Sequence, residues 1–139
     1  MEVVTDGLSH PWSVAFLPDG GYLVTERAGQ LRRIDADGRL DPQPVSGLPP
    51  VRQHGQGGLL DVVLHPDFAD NRLIYLSYAG AGPGGAGTEV ARARFDGAKL
   101  ENLEVIFRAD PKTPGTAHYG SRLVFDRAGR LYISLGDRR

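Results

Sequence analysis

Cysteine is absent from the 139 residues. That excludes disulfides, thiolate metal sites and a cysteine nucleophile, and leaves the redox compartment open. Charge of one sign is not in excess either. There are 16 Lys+Arg against 17 Asp+Glu, so the electrostatic footprint of a nucleic-acid binder is missing. No run of like charges makes a tail or a membrane patch. No apolar stretch approaches the roughly 20 residues of a membrane helix. The opening "MEVVTDGLSHPW" lacks the basic region and apolar core of a secretory leader. That decides little about location, because such a segment is removed from mature chains. HExxH, GxSxG and Walker-type loops are all missing. So is any convincing apolar run at helical spacing.

What is present is turn chemistry. Glycine (19) and proline (10) are frequent for the length, and they punctuate clear apolar runs, which points to many turns rather than disorder. "WSVAF" (12–16) precedes the turn "LPDGG" and then "YLVTE" (22–26). "GQLRRID" (29–35) follows. "GLLDVVLH" (58–65) precedes "PDFADN" and "RLIYLSYA" (72–79), and "TEVARARF" (88–95) comes next. "SRLVF" (121–125), "DRAG" and "RLYISLGD" (130–137) complete the series. Short strands with Asp-Gly or Gly turns at such intervals indicate an all-β architecture. The length suits one ordinary domain.

The segments overlay as a repeat. Phe16, Leu64 and Phe125 close equivalent strands. Their spacings are a loose version of the roughly 40–50-residue period of propeller blades. A β-sandwich that reuses hairpins is the competing reading. Two stretches read as loops: the Pro- and Gly-rich 41–58, and "GAGPGGAG" (80–87), expected to be a flexible, exposed hairpin tip.

The segment 116–137 carries a histidine before its first strand and an aspartate after its second. A four-residue turn, Asp126 to Gly129, puts Phe125 opposite Arg130. Counting back from there, His118 faces Asp137. Directly opposed residues have Cβ atoms about 4.5–5.5 Å apart, near enough for the carboxylate to accept a proton from one ring nitrogen. The other nitrogen is then free as a base. A purely structural His–Asp bond at a sheet end is the alternative. A three-residue turn would slip the register by one, and a bulge at Gly120 would re-aim His118.

The remaining candidates are plainer. His54 and Gln56 lie in "HGQGG", a loop that could approach a ligand closely or be only a turn. His65, before Pro66, reads as structural. Trp12, after His10 and Pro11, reads as core. "DADGRLDPQ" (35–43) has acidic residues near EF-hand spacing, but Ser46 stands at the twelfth position and no helix flanks it.

Three blocks in order resemble the soluble quinoprotein glucose/sorbosone dehydrogenase family. They are "GLSHPWSVAFLPDGGYLVTERAGQLRRI" (7–34), "GQGGLLDVVLHPDFADNRLIYLSY" (55–78) and "HYGSRLVFDRAGRLYISLGDR" (118–138). The resemblance implies a six-bladed β-propeller. The 139 residues would form the N-terminal portion of that single domain, about two blades and part of a third. It implies oxidation of aldose sugars or related alcohols with pyrroloquinoline quinone (PQQ), often with calcium, and an external electron acceptor. By motif position His118 matches the family's general base, Asp137 the aspartate that orients it, and Gln56 a glutamine lining the sugar pocket. Ala117 stands where some sugar-oxidising members carry an acidic residue, which leaves substrate preference open. The residues that hold PQQ and calcium match no position here. The resemblance further implies a periplasmic or secreted location, inactivity of this segment by itself, and self-association through open blade edges. A non-catalytic binding propeller and an inactive fragment are the competing functional readings.

Overall fold

Asx turns set the hairpins. Asp19, Asp35, Asp96 and Asp126 each turn a carboxylate oxygen back onto backbone N–H groups two to four residues ahead. Asp35 and Asp41, two of the three acidic residues of the EF-hand-like stretch, are used up in this way. The computed structural model describes all 139 residues. Its elements are β1 Pro11–Phe16, β2 Tyr22–Glu26, β3 Gln30–Ile34, β4 Leu59–Leu64, α1 Phe68–Asn71, β5 Leu73–Gly82, β6 Gly85–Phe95, β7 Leu100–Arg108, β8 Gly120–Phe125 and β9 Leu131–Leu135.

These strands form three antiparallel meanders in chain order: β1-β2-β3, β4-β5-β6-β7 and β8-β9. The sheets are successive propeller blades, two blades and part of a third. The first strands β1, β4 and β8 lie side by side. Val45 pairs with Leu31 and gives the first blade a rudimentary fourth strand.

The middle blade is covered on both faces, so its central strand is apolar almost throughout. Ile74, Leu76 and Tyr78 of β5 pack with Leu23, Leu31 and Leu59 in the main core. Tyr75, on the other face of β5, packs with Val90 and Leu123. The outer faces have no such cover: Val14 and Phe16 are exposed at one end, Val124 and Tyr132 at the other.

Strand β7 has no counterpart among the strands expected from sequence. Its alternation Leu103, Val105, Phe107 is masked by Glu101, Glu104 and Arg108 around it and blurred by the exposed Ile106. Those charges pair across the strand, Arg92 with Glu104 and Arg94 with Glu101. The glycine-rich 80–87 is less of a loop than expected. β5 and β6 run on through it to Gly82 opposite Gly85, and only Pro83–Gly84 form the tip. Gly80 is buried there because the Glu89 side chain occupies the space where a Cβ would sit.

One irregularity repeats in all three blades. The register of each first strand slips near its start, at Trp12, at Leu60–Asp61 and at Ser121–Arg122. Each slip is a bulge, which leaves a backbone N–H without its ladder partner and twists the strand. A hydroxyl on the second strand accepts it every time. Ser13 N donates to Thr25 Oγ1, Asp61 N to Ser77 Oγ, and Arg122 N to Ser134 Oγ. Two of these hydroxyls then donate onward across the blade boundary, Thr25 to Leu60 O and Ser77 to Ser121 O.

Candidate active site at the blade mouth

His118 and Asp137 face each other beyond the ends of β8 and β9. His118 Nδ1 lies 2.7 Å from Asp137 Oδ1. A carboxylate only accepts, so Nδ1 carries the hydrogen and Nε2 is the nitrogen with a free lone pair. The backbone pairing continues past the strand ends: Gly136 N donates to Tyr119 O, Arg138 N to His118 O, and Ala117 N to Arg139 O.

The route to this opposition differs from the expected one. Asp126 pairs with Arg130 around a three-residue loop, and Phe125 faces Leu131 rather than Arg130. The shorter loop slips the register by one. The bulge at Ser121–Arg122 slips it back, so Gly120 faces Leu135 and His118 meets Asp137. Two positions at the sheet end demand glycine. Gly120 has φ +67. A Cβ on Gly136 would sit 1.8 Å from the His118 carbonyl oxygen.

Gln56 reaches the same place from the second blade. His54 and Gly57 close a tight turn. Gln56 N donates to Thr116 O, and Gln56 Oε1 accepts the His118 amide at 3.0 Å. The structure thus brings Gln56, His118 and Asp137 together, with the Gln56 side-chain amide nitrogen left over as a donor. Gly57 lies flat on the Tyr119 ring, where any Cβ would collide.

Trp12, Gln56, Leu60, His118, Tyr119 and Gly120 line one recess of about 130 Å³. Trp12 packs against the small core cluster of Leu60, Ala79 and Tyr119, as expected, and it also borders the recess. Arg122 lies over its ring, 5.2 Å from the centroid, a cation–π arrangement. A larger hollow of about 500 Å³, among Val3–Gly7 and Gly38–Leu40, contains none of these residues.

His65 and His10 take no part. His65 Nδ1 accepts the Asp67 amide, and its ring stacks on Tyr75 and meets Phe125 edge-on. Asp61 is a residue that sequence reasoning passed over. It is 3 % exposed. Its Oδ1 accepts Ser13 Oγ and Val62 N, and its Oδ2 accepts Leu123 N, so one carboxylate ties three blades. An aspartate inside "GLLDVVLH" was the available signal, since a charge in an apolar run must find partners.

Comparison with known proteins agrees with this architecture. The chain is 50% identical over 141 residues to aldose sugar dehydrogenase YliI of Escherichia coli, covering 99% of the chain and 38% of that protein. The crystal structure of the soluble aldose sugar dehydrogenase of E. coli in its apo-form superposes with a TM-score of 0.93 at 49% identity, over 99% of this chain and 40% of that one. The PQQ-bound aldose sugar dehydrogenase of Streptomyces coelicolor gives 0.85 at 31% identity, over 99% and 41%. The chain thus spans about two fifths of the length of these relatives. The family model for glucose/sorbosone dehydrogenases matches residues 8–139, and the chain belongs to that family.

Proposed function

We propose that these residues supply the proton-abstracting side of a PQQ-dependent dehydrogenase acting on aldose sugars or related alcohols. The observation that carries the reading is the His118–Asp137 pair at 2.7 Å, with the ring half exposed at a recess it shares with Gln56. A structural histidine in this chain looks different: His65 is wedged between aromatic rings.

His118 Nε2 takes the proton of the sugar hydroxyl. Asp137 keeps the Nδ1–H tautomer in place and stabilises the imidazolium that forms. Proton removal leaves the electrons of the O–H bond to complete the carbonyl as the carbon gives up its hydride, so no charged carbonyl accumulates. Gln56 fixes the His118 backbone through Oε1 and offers its amide N–H to a substrate oxygen. PQQ, when bound, supplies the acceptor for the hydride and its electron pair. The recess itself is lined by no lysine or arginine that could meet a polycarboxylate, and Arg122 lies on the Trp12 ring outside it, so these residues fit the base's side of the reaction and not the clamp of such a group. Calcium finds no fit either: no three acidic or histidine side chains converge, and no step is assigned to it. An external electron acceptor and a periplasmic or secreted location follow from the same family reading. No helix is long and apolar enough to cross a membrane.

The test is a chimera in which residues 1–139 replace the matching segment of the E. coli relative. With PQQ supplied, dye-linked oxidation of aldoses is expected. His118→Ala should lower kcat by about 10²–10⁴-fold, and Asp137→Asn should do so in the same direction. Wild-type kcat in the His118→Ala chimera would end the proposal. The 139 residues alone are expected to be inactive, and turnover by them would overturn that part.

A further inference from the structure

Both residues of the His–Asp pair are about half exposed. A hydrogen bond in such a setting competes with water and is too weak to hold its own geometry. A cation also competes for the carboxylate, since Arg139 Nε lies 3.2 Å from Asp137 Oδ2. The backbone adds a cost. His118 has φ +54 and Arg138 has φ +58, a left-handed conformation that a non-glycine residue keeps only when its surroundings impose it. Something other than the pair therefore sets the pose of His118.

Arg138 is built to do that. Its guanidinium donates to three carbonyl oxygens: Ala117 through Nη1, and Gly115 (2.7 Å) and Ala86 (3.2 Å) through Nη2. The same plane lies 3.5 Å over the Tyr119 ring. Its own amide donates to His118 O. One side chain thus grips the residues on both sides of His118, and through Ala86 it ties them to β6 of the middle blade. Only a planar fork with several donors can bond carbonyls and stack at once. Backbone bonds at Thr116, Ala117 and Tyr119 support the same segment, but on His118 itself the remaining side-chain support is the Gln56 Oε1 bond to its amide, which requires the segment 115–119 to lie where Arg138 puts it.

We propose that Arg138 is the positioning residue of this site, one that locks the 115–119 segment so that His118 Nδ1 stays on Asp137 and Nε2 stays available. The proposal rests on the dehydrogenase reading for its catalytic consequence and not for its structural one. It identifies a residue that touches neither substrate nor the reacting nitrogen. It also explains why an arginine follows the aspartate directly: Arg138 is the next residue to Asp137, so the clamp and the carboxylate move together.

The experiment is NMR on the 139-residue chain with Arg138→Ala and Arg138→Lys. In both variants the His118 amide should exchange at least about ten-fold faster, because the segment now opens locally. The bonded Nδ1–H signal of His118 should weaken. Amides of β5 and β6 serve as the control and should keep their protection. Ethylguanidine added to Arg138→Ala should restore the His118 signals, which a general loss of folding would not allow. In the chimera kcat should fall about 10–100-fold with KM within about two-fold, the mark of lost orientation rather than lost binding. Wild-type protection of the His118 amide in Arg138→Ala would overturn the proposal. So would full rescue by Arg138→Lys, because a point charge would then suffice. Failure of the dehydrogenase reading shows separately, as no sugar oxidation by the wild-type chimera.

Discussion

Replacing Asp61 by alanine should cost the chain more than any other single change outside its apolar core. The carboxylate is buried, and its two oxygens accept Ser13 Oγ at 2.5 Å, Val62 N at 2.9 Å and Leu123 N at 2.8 Å. Arg122 Nη1 stands 3.6 Å from Oδ1. Alanine leaves these donors without an acceptor. The Ser13 hydroxyl is only half-buried and can turn to water. Leu123 N cannot, because Leu123 is buried in the seam between the second and third blades. A buried donor left unmade costs about 1–3 kcal/mol, and bonds to a charged acceptor sit at the upper end. The sum is about 3–5 kcal/mol, against the 5–15 kcal/mol that holds an average domain together. In urea that is a midpoint shift of about 2 M. Asparagine separates the parts. Its oxygen can keep Ser13 and Val62, but its amide then points at Leu123 N, donor against donor. Asp61→Asn should therefore loosen the third blade first, read as faster exchange of the Leu123 and His118 amides while β5 stays protected. Loss of less than about 0.5 kcal/mol in Asp61→Ala, the level of an ordinary surface change, would refute the claim that this carboxylate joins the blades.

Three further outcomes are expected. Gly136→Ala would put a Cβ 1.8 Å from the His118 carbonyl oxygen. The strand ends must part, at about 1–3 kcal/mol, and the Nδ1–H signal of His118 should disappear while the core amides stay protected. Asp19 is held below the ordinary carboxylate range by the Gly21 amide and, against some desolvation, by the Arg33 guanidinium. The charged form therefore favours the fold. Its contribution is complete above the unfolded value of 3.8 and is lost as pH falls through the lowered one. The stability gap between the wild type and Asp19→Asn should then be constant near neutrality and close below about pH 4. Phe16, 72% exposed, and Tyr132, 53% exposed, lie on apolar faces at opposite ends of the blade series. Such faces drive association, so the 139-residue chain should self-associate in sedimentation equilibrium. Phe16→Asp with Tyr132→Asp should make it monomeric.

The strands could be read because their signals are local. "YLVTE", "RLIYLSYA" and "RLYISLGD" are apolar runs between turn residues, and each becomes a strand within three residues of its expected ends. β7 could not be read so easily, because cross-strand ion pairs put glutamates and an arginine among its apolar positions. Trp12 was legible in part. A lone tryptophan after proline reads as core, and it does pack on Leu60, Ala79 and Tyr119, but nothing local says that it also borders the recess. Asp61 signalled only that a charge in an apolar run needs partners, not which ones, and Arg138 gave no signal, because the partners are mostly backbone atoms distant in sequence. Backbone partners leave no trace in sequence.

The His118–Asp137 opposition shows what kind of information was missing. Counting from a four-residue turn reached the right pair through the wrong register. The true loop is one residue shorter, and the bulge at Ser121–Arg122 cancels the slip. A bulge is hard to see in sequence, yet this one has a signature once the blades are compared. Ser13, Asp61 and Arg122 each sit three residues before the end of a first strand, and Thr25, Ser77 and Ser134 each stand opposite with a hydroxyl. The hydroxyl is the readable part. A buried serine or threonine inside an apolar second strand, as Thr25 and Ser77 are, must bond something; each bonds the amide that the bulge frees, and the exposed Ser134 repeats the pattern. The geometry of the site therefore depends on three small polar residues, none of which touches it. Ser134, partner of the bulge nearest His118, is the one whose loss should move the histidine most.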